Sequence, residues 1–503
     1  DRGRLRGAHW SAQGITFTLS GRERPLPMDL IPRVVTASEW RVVSEGVAQR
    51  IRALEAFLAD VYDRGDIMRD GVVPKSLVTS SSHYHRQAHG IVPANGVRIH
   101  VAGVDLVRDE EGTFHVLEDN LRCPSGVSYV LENRRTLAHV APEVFTGYRV
   151  APVTEYPERL YRALAAAAPR DVHDPTVVVL TPGVYNSAHF EHAFLARGMG
   201  AELVEGRDLF CRGGFVYMRT TQGPQPVHVI YRRLDDEYLD PVQFNGDSVL
   251  GVPGLLNAAR AGAVTIANGV GNGVADDKAL YPYVPKIIEY YLGEKAILPN
   301  VPTHDLMDPE VREFVLERLD KMVIKPVDGS GGYGLVIGPK STDAELAEVA
   351  EAIKADPRSW IAQPVVTLST SPTVGTGGRV QPRHLDLRPF AVNDGKKIWV
   401  LPGGLTRVAM KAGSLVVNSS QGGGSKDTWV LAGTGEEDDG ASLSAEAVLE
   451  ARRLNRGLPT GGPITPRVSL PHTHEARMRQ QEEQQQQATA TPPVPEAQVD
   501  RSC

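Results

Sequence analysis

The sequence predicts an α/β fold with more than one lobe, and three observations lead to this prediction. The chain has 503 residues, which is more than one small hydrophobic core accommodates. Apolar residues recur at three- and four-residue spacing after Thr36, as in an amphipathic helix. From about residue 170, short apolar runs typical of strands alternate with helical segments, and this order favours a parallel, doubly wound sheet.

Charge and composition exclude several broad classes of protein. The chain has 54 Lys and Arg against 61 Asp and Glu, a formal net charge of −7. General nucleic-acid and membrane-surface binders need a basic face, so we expect neither partner. Three cysteines at positions 123, 211 and 503 fit no metal spacing, and no apolar run is as long as a membrane span. We therefore expect a cytoplasmic enzyme, whose oligomeric state the sequence leaves open.

A helix and a hairpin are predicted in the N-terminal part. Thr36 and Glu39 form a T-x-x-E capping box at the start of the amphipathic helix. Residues 97–118 change to the strand period, and the polar turn Arg108–Gly112 divides them into a hairpin. A further helical segment is expected up to about residue 148.

The middle of the chain is predicted to form the parallel sheet, with strands at 176–180, 201–204 and 227–232. Ligands of such sheets bind at the carboxyl ends of the strands. Two polar groups stand there in this sequence: Tyr185, Asn186 and Ser187, then Arg232, Arg233, Asp235 and Asp236. They can hold an amino-acid or peptide carboxylate and an amine, or form a structural ion-pair cluster, and the sequence leaves both open.

A glycine-rich segment lies between the predicted strands KMVIKPV and GLVIG. It contains a formal G-x-G-x-x-G at Gly329, Gly331 and Gly334, but the dinucleotide-binding form of that motif leads into a helix. The segment is either a hairpin whose N–H groups cover phosphates, with Lys325 as counter-charge, or an ordinary glycine-rich hairpin. The helix that follows is expected to have Ser341 as its N-cap.

Acidic and amide side chains cluster on the predicted hairpin. Asp105 and Glu118 belong to its two strands, and Asn120 emerges on the same face as Glu118 because it is two positions further on. These oxygen donors suit Mg²⁺, although residues of this kind are more commonly a solvated strand end. Arg122, in the next turn, is placed to meet phosphate or substrate.

A second charged group lies near the C-terminal end of the predicted core. Its arginines can bind a phosphoryl group or form surface ion pairs. Its members are Asp386, Arg388, Arg407, Lys411 and Asn418.

The order of these motifs resembles a known family. The lysine strand, glycine-rich loop, helix and IAQPVV strand, followed by DLRPF, TRVAMK and NSSQGG, look like the nucleotide-binding part of an ATP-grasp ligase. The piece expected next, an aspartate strand and a Glu-x-Asn, stands far earlier, within GVDLVRDEEGTFHVLEDNLRCPSG. The sequence therefore resembles the circularly permuted type 2 ATP-grasp family over roughly residues 10–430, and more remotely glutathionylspermidine-synthase-like ligases.

The resemblance implies a domain order. The expected core has two α+β lobes that hold ATP between them, and its segments occur in a circularly permuted order. The chain is also expected to have a doubly wound lobe of the pre-ATP-grasp type. Residues 1–150 are expected to be the displaced part of the core that carries the Mg²⁺ ligands, and 151–275 the substrate lobe. Residues 276–430 are expected to be the nucleotide-binding lobes, and 431–503 a mostly disordered tail.

The resemblance also implies residues that bind ATP. Lys325 matches the lysine that contacts the α- and β-phosphates, and either Lys278 or Lys286 an earlier nucleotide-contacting lysine. Gln363 and Val366 match the hinge at the adenine edge, where the family often has an acidic residue instead of the glutamine. Other matching positions are the loop over the triphosphate and the asparagine before paired glycines: Gly329, Ser330, Gly331, Gly332, Tyr333, Gly334 and Asn418.

Metal and catalytic roles follow from the same resemblance. The Mg²⁺ ligands match Asp105, Glu118 and Asn120, and the arginines facing the γ-phosphate and the acyl phosphate match Arg388 and Arg407. Arg122 is grouped with these catalytic arginines. His83, His85 and His89 lack a fourth zinc ligand, so their segment fits a loop over the nucleotide or substrate better than a zinc site.

The implied reaction joins a small-molecule or peptide carboxylate to an amine. The carboxylate attacks the γ-phosphorus of ATP, and the amine then displaces phosphate from the acyl phosphate, with Mg²⁺ as cofactor. Two alternatives stay open, an ATP-dependent kinase of a small molecule or peptide and a catalytically silent ATP-binding scaffold or sensor. The sequence does not identify the acyl donor or the amine.

Overall fold

The computed structural model describes residues 27–328, 334–375, 378–411, 413–414, 417 and 423–432, and the backbone of 16–19 and 22–25. Five residues of the glycine-rich loop therefore lie outside the described residues: Gly329, Ser330, Gly331, Gly332 and Tyr333. So do Asn418 and the tail from residue 433.

The strands are numbered in chain order. They are β1 (Thr16–Leu19), β2 (Arg22–Pro25), β3 (Met28–Val35), β4 (Val101–Arg108), β5 (Phe114–Asn120), β6 (Val177–Leu180), β7 (Glu202–Val204), β8 (Leu209–Arg212), β9 (Phe215–Thr220), β10 (Gly223–Val227), β11 (Val229–Arg232), β12 (Thr265–Ala267), β13 (His304–Asp305), β14 (Met322–Pro326), β15 (Val336–Ile337), β16 (Trp360–Pro364), β17 (Thr370–Val374), β18 (Val380–His384), β19 (Arg388–Asn393), β20 (Ile398–Val408) and β21 (Gly424–Val430).

The helices are numbered in the same way. They are α1 (Ala37–Val61), α2 (Asp66–Arg69), α3 (Lys75–Thr79), α4 (Val127–Val140), α5 (Tyr156–Ala165), α6 (His189–Met199), α7 (Asp236–Leu239), α8 (Leu255–Arg260), α9 (Val284–Leu292), α10 (Pro309–Leu316) and α11 (Asp343–Ala355). None of the helices in the described ranges combines the length and apolar character needed to cross a bilayer.

The largest sheet joins the two ends of the described chain. Its strand order is β3-β21-β20-β19-β4-β5, with β3 and β21 parallel and the other neighbours antiparallel. The predicted hairpin is confirmed as β4 and β5, and it pairs with β19, which lies nearly three hundred residues later in the chain. Residues distant in sequence therefore share one sheet, and this places the hairpin carboxylates beside the C-terminal arginines.

Helix α1 covers this sheet, and its start was predicted correctly. The Thr36 hydroxyl accepts from the Glu39 N–H, and the Glu39 carboxylate accepts from the Thr36 N–H at 2.9 Å, so both halves of the capping box are present. The apolar positions Val43, Val47 and Leu54 are fully buried. Their burial fixes the helix against the core and holds its polar face towards solvent.

A second sheet is fully parallel, as predicted from residue 170 onwards. Its strand order is β12-β11-β6-β7. The next strand in the chain, β7, pairs with one side of β6, and the later strands β11 and β12 are added on its other side. The fold therefore has a switch point between β6 and β11, the position at which such sheets commonly bind ligands.

The third sheet belongs to a small lobe with its own core. It is antiparallel in the order β13-β16-β14-β15. Val315 of α10 and Ile353 of α11 belong to the same buried cluster as Ile324 of β14. The prediction of Ser341 as N-cap of α11 was wrong. Thr342 is the cap, because its hydroxyl accepts from the Glu345 N–H, whereas the Ser341 hydroxyl donates to the Ile337 carbonyl at 3.1 Å.

Candidate active site

Two arginines and two aspartates form an alternating charge ladder on the large sheet. Arg388 of β19 donates through Nε and Nη2 to the Asp105 carboxylate, the second bond at 2.8 Å. Arg407 of β20 donates to the same carboxylate at 2.5 Å and, through Nε, to Asp386 at 3.0 Å. Each guanidinium is therefore fixed by at least one buried carboxylate, and both predicted arginines lie together.

The electrostatics of the ladder follow from its burial. Burial alone would raise the pKa of Asp105, but Arg388 and Arg407 together hold it well below its usual range. Burial raises the pKa of Asp386, and Arg407 only partly offsets that effect. Asp105 therefore stays ionised and keeps the two guanidinium groups in place.

The three predicted metal ligands come together at the outer end of this ladder. Asp105 lies directly opposite Glu118 across β4 and β5, and Asn120 Nδ2 is 3.5 Å from Glu118 Oε1. Asp119 points to the other face, where Arg50 binds its carboxylate at 2.7 Å, as the strand period requires. The predicted shared face of Glu118 and Asn120 therefore agrees with the structure.

The donor chemistry of this group fits Mg²⁺, which binds one or two protein carboxylates together with phosphate oxygens. The Glu118 side chain is 28% exposed, whereas the Asp105 side chain is 2% exposed and already accepts hydrogen bonds from two arginines. Glu118 Oε1 is also 3.7 Å from Arg388 Nη2. Glu118 and Asn120 are thus the accessible oxygen donors, and Asp105 lies behind them.

Lys325 is the cation that the small lobe brings to this group. It lies on β14, opposite Ile361 of β16. Burial lowers the pKa of Lys325 to about 8, with Glu118 and Asp105 raising it and Lys278 lowering it further. The predicted phosphate lysine therefore lies within electrostatic range of two of the predicted metal ligands, Glu118 and Asp105.

The two candidates for the second lysine lie in different surroundings. Lys278 donates to the Val327 carbonyl at 3.1 Å, immediately before the glycine-rich loop. Lys286 is exposed on α9, with its ammonium 5.7 Å from the centre of the Tyr283 ring. The surroundings of Lys278, beside Lys325 and the start of the loop, are those that a phosphate-binding lysine needs.

The predicted hinge residues lie at the end of β16 and just beyond it. Gln363 is buried, and its side-chain amide donates to Thr303 Oγ1 at 2.8 Å, while Val366 lies two positions after the strand. This bond uses one of the two amide N–H donors, and the side-chain carbonyl oxygen of Gln363 can still accept from an adenine amino group. At the other end of the loop, Gly334 has a φ of 70°, which favours glycine.

The serine- and histidine-rich segment packs against the base of the glycine-rich loop. Ser82 Oγ donates to the Asp328 carboxylate at 3.0 Å, and His83 Nε2 is 3.6 Å from it. His85 faces Asp236, and His89 Nε2 bonds the Tyr84 hydroxyl at 2.9 Å. The three imidazoles therefore do not converge, and the described residues contain no group of three His, Cys, Asp or Glu arranged for a metal.

The turn after β5 joins the metal ligands to the parallel sheet. Asn268 Nδ2, at the end of β12, donates to the Leu121 carbonyl at 2.9 Å. Arg233, after β11, donates to Ser125 Oγ at 2.6 Å and to Glu191 at 3.1 Å. The carboxyl edge of the parallel sheet therefore lies directly against the turn that follows Asn120.

Several residues of this junction were not singled out from the sequence. Glu191 is buried and accepts from the Gly126 and Ser128 N–H groups, at 2.7 and 3.0 Å. Arg358 of the small lobe donates to Asp277 at 2.6 Å. Two adjacent aspartates, Asp276 and Asp277, precede Lys278, and this pattern could have indicated the contact with Arg358. No local pattern distinguishes Glu191 from other helical glutamates.

Comparison with known proteins gives a consistent result. A family model described as circularly permuted ATP-grasp type 2 matches residues 32–409. A protein of Mycobacterium tuberculosis (strain H37Rv), named only as uncharacterized, is 62% identical over 447 residues, covering 89% of this chain and 80% of that protein. Lys411 and Asn418 lie beyond the matched segment, whereas the other candidate site residues fall inside it.

Two further similarities bear on fold and length. A Frankia casuarinae protein provisionally named a glutamate–cysteine ligase is 46% identical over 429 residues, which cover 84% of this chain but 49% of that protein. A solved structure of a glutathione synthetase-like effector from Globodera pallida, in its apo form, aligns with a TM-score of 0.54 at 10% identity. That alignment covers 85% of this chain and 96% of the effector, and it shows a shared fold.

Proposed function

The chain belongs to the circularly permuted ATP-grasp type 2 family, and we propose that it is an ATP-dependent ligase that joins a carboxylate to an amine through an acyl phosphate. One observation carries the proposal: Lys325 of the small lobe lies near enough to Glu118 and Asp105 of the large sheet for their charges to raise its pKa, and the arginine ladder lies at the same place. The glutamate–cysteine ligase name of a Frankia relative supports the same reaction class.

We assign the roles of the residues by their charge and position. Lys325 and Lys278 hold the nucleotide phosphates, while Arg388 and Arg407 neutralise charge that develops on the transferred phosphoryl group. Glu118 and Asn120, with Asp105 behind them, would hold Mg²⁺, which supplies positive charge to the phosphate oxygens. Phosphoryl transfer needs little covalent chemistry from the protein, so fixed cations and exclusion of water account for most of the catalysis.

The substrates are proposed to bind where the parallel sheet meets the turn after β5. Its switch point between β6 and β11 opens at that junction, and Arg122 of the turn is partly exposed there. A carboxylate held at this point lies next to the Glu118 end of the phosphate site. We therefore propose that the acyl donor and the acceptor amine share one site.

The proposal is tested by an ADP-release screen across amino acids, small peptides and polyamines, with mass spectrometry of the products. We expect ADP and phosphate to form together with a product whose mass equals the two substrates less one water. A phosphate ester as product would support a kinase instead. Absence of ADP binding in calorimetry with Mg²⁺ would leave only a scaffold.

A further inference from the structure

A partly exposed pair of opposite charges lies at the carboxyl edge of the parallel sheet. Asp235 follows β11 by three positions, and Arg122 lies in the turn that packs against this edge. Their side chains are 31% and 29% exposed, with Arg122 Nη1 at 3.8 Å from Asp235 Oδ1. This separation exceeds hydrogen-bond distance, so the pair is an ion pair without a direct bond.

The guanidinium of Arg122 is held in one orientation, but not all of its hydrogen-bond donors are used. Its Nε donates to Asp276 Oδ1 at 3.0 Å, and Asp276 also accepts from the Leu121 N–H, so the guanidinium plane is fixed from one side. Among the described residues, no hydrogen bond involves its two terminal nitrogens. A guanidinium with a fixed plane and free terminal N–H groups is suited to bind a carboxylate through two parallel bonds.

Asp235 offers the complementary acceptor. Within the part of the chain that the structure describes, its carboxylate accepts no hydrogen bond, whereas its backbone carbonyl accepts from the Tyr238 N–H at 3.1 Å. An ammonium group supplies the donors that such a carboxylate lacks. The fold therefore positions both Asp235 and Arg122, and it leaves each of them with unused hydrogen-bonding groups.

The neighbouring charges of the same edge differ from this pair. Arg232 is fully buried and donates to the Leu234, Asn268 and Gly269 carbonyls, and Arg233 is buried with Glu191. Asp236 is buried and accepts from the Gly271 N–H at 3.0 Å. These three side chains stabilise the sheet edge, so they form the structural ion-pair cluster that the sequence allowed. Asp235 and Arg122 take no part in that cluster and can therefore bind a ligand.

We infer that Arg122 and Asp235 bind the free α-amino-acid group of a substrate, with its carboxylate on the guanidinium and its ammonium on the aspartate. An α-amino-acid group carries its two opposite charges on one carbon, so it matches two complementary charges about 4 Å apart better than a diamine or a dicarboxylate does. The inference rests on the proposed ligase function, since it names the substrate class of the same cleft.

The test measures binding of the common L-amino acids to the full chain by calorimetry, with Mg²⁺ and ADP present and absent. Each amino acid that binds is compared with its N-acetyl and α-amide derivatives, which each remove one charge. We expect either derivative to bind about tenfold or more weakly, the loss typical of one charge-assisted hydrogen bond. In Asp235→Asn, the preference for the parent over the N-acetyl derivative should fall to about one.

Asp174→Asn is the matched control, because Asp174 is exposed at the opposite edge of the same sheet, before β6. It should keep the wild-type preference. The inference is overturned if no amino acid binds, if the N-acetyl derivatives bind as well as the parents, or if Asp235→Asn keeps the preference. ADP binding is scored separately, so its absence contradicts the ligase proposal and leaves the amino-acid result interpretable.

Discussion

Arg388 binds Asp105 through two hydrogen bonds although 283 positions separate them in the sequence. The bond joins β19 to β4 and so connects a C-terminal strand to the hairpin that carries Glu118 and Asn120. The candidate active site exists only because these two distant segments pair in one sheet. Charge changes on either segment should therefore alter the same phosphate-binding group.

Glu118 is the carboxylate of this group with the clearest access to a cation. We expect Glu118→Gln to lower the rate of ATP turnover by about 10²–10³, because a neutral amide holds Mg²⁺ less tightly and the positive charge on the reacting phosphates is lost with the metal. The Mg²⁺ concentration that gives half-maximal rate should rise in parallel. Glu111→Gln, in the turn of the same hairpin, is the control and should match the wild type. Equal Mg²⁺ dependence of the wild type and Glu118→Gln would remove Glu118 from the metal site.

We expect nucleotide binding to depend on pH through Lys325. Burial lowers its pKa to about 8, so the free protein loses this positive charge as the pH rises through 8. We expect ADP affinity to fall above that pH and to level off where the amine is neutral. In Lys325→Met the alkaline fall should be absent and the affinity low throughout. Lys321→Met, just before β14, should keep the wild-type profile, and an unchanged profile in Lys325→Met would exclude Lys325 as its cause.

The same lowered pKa gives a prediction for stability. Between pH 8 and the ordinary lysine range, the unfolded chain binds the Lys325 proton and the folded chain does not. The free energy of unfolding should therefore gain a favourable contribution from this lysine as the pH rises through that window. Urea unfolding of the wild type and of Lys325→Met across that window measures it as a difference in slope. Parallel curves would contradict the assignment of a lowered pKa to Lys325.

Asp386 anchors Arg407, and the pair is buried. We expect Asp386→Asn to lower the free energy of unfolding by about 3 kcal/mol, because it leaves an incompletely paired guanidinium in the core. A double-mutant cycle with Arg407→Gln should show that the two losses are not additive. Asp320→Asn, at an exposed site of the small lobe, should change stability little. Additive losses would mean that the two residues act independently.

Lys278 and Lys286 are distinguished by one pair of variants. Lys278→Ala should weaken ADP binding, since Lys278 lies beside Lys325 and the Val327 carbonyl. Lys286→Ala should leave it unchanged, because Lys286 is exposed against Tyr283 on α9. Calorimetry of both variants decides the question, and the opposite ranking would move the nucleotide towards α9.

Local patterns predicted much of the fold. The capping box of Thr36 and Glu39, the β4–β5 hairpin and the parallel sheet all depend on neighbouring residues, and each was found where expected. The N-cap of α11 was placed one residue early, because Ser341 and Thr342 both have the chemistry of a cap. Only the backbone geometry of the structure decides between them.

The partners of charged residues were harder to predict. The sequence suggested that Arg388 and Arg407 face phosphates, but it contained no sign that Asp105 and Asp386 hold them. Arg122 and Asp235 likewise belong to segments 113 positions apart that meet only through the packing of Asn268 and Arg233. Contacts of this kind depend on tertiary structure, so a single sequence leaves ligand binding and structural pairing as equal alternatives.

Ligation itself is tested most directly by following ATP consumption and product mass together, for the wild type and for Glu118→Gln, with the amino acids that bind. We expect one ADP and one phosphate for each product, a product mass equal to the sum of the two substrates less one water, and a large fall of both signals in the variant. A phosphorylated product, or release of AMP and pyrophosphate, would contradict this expectation.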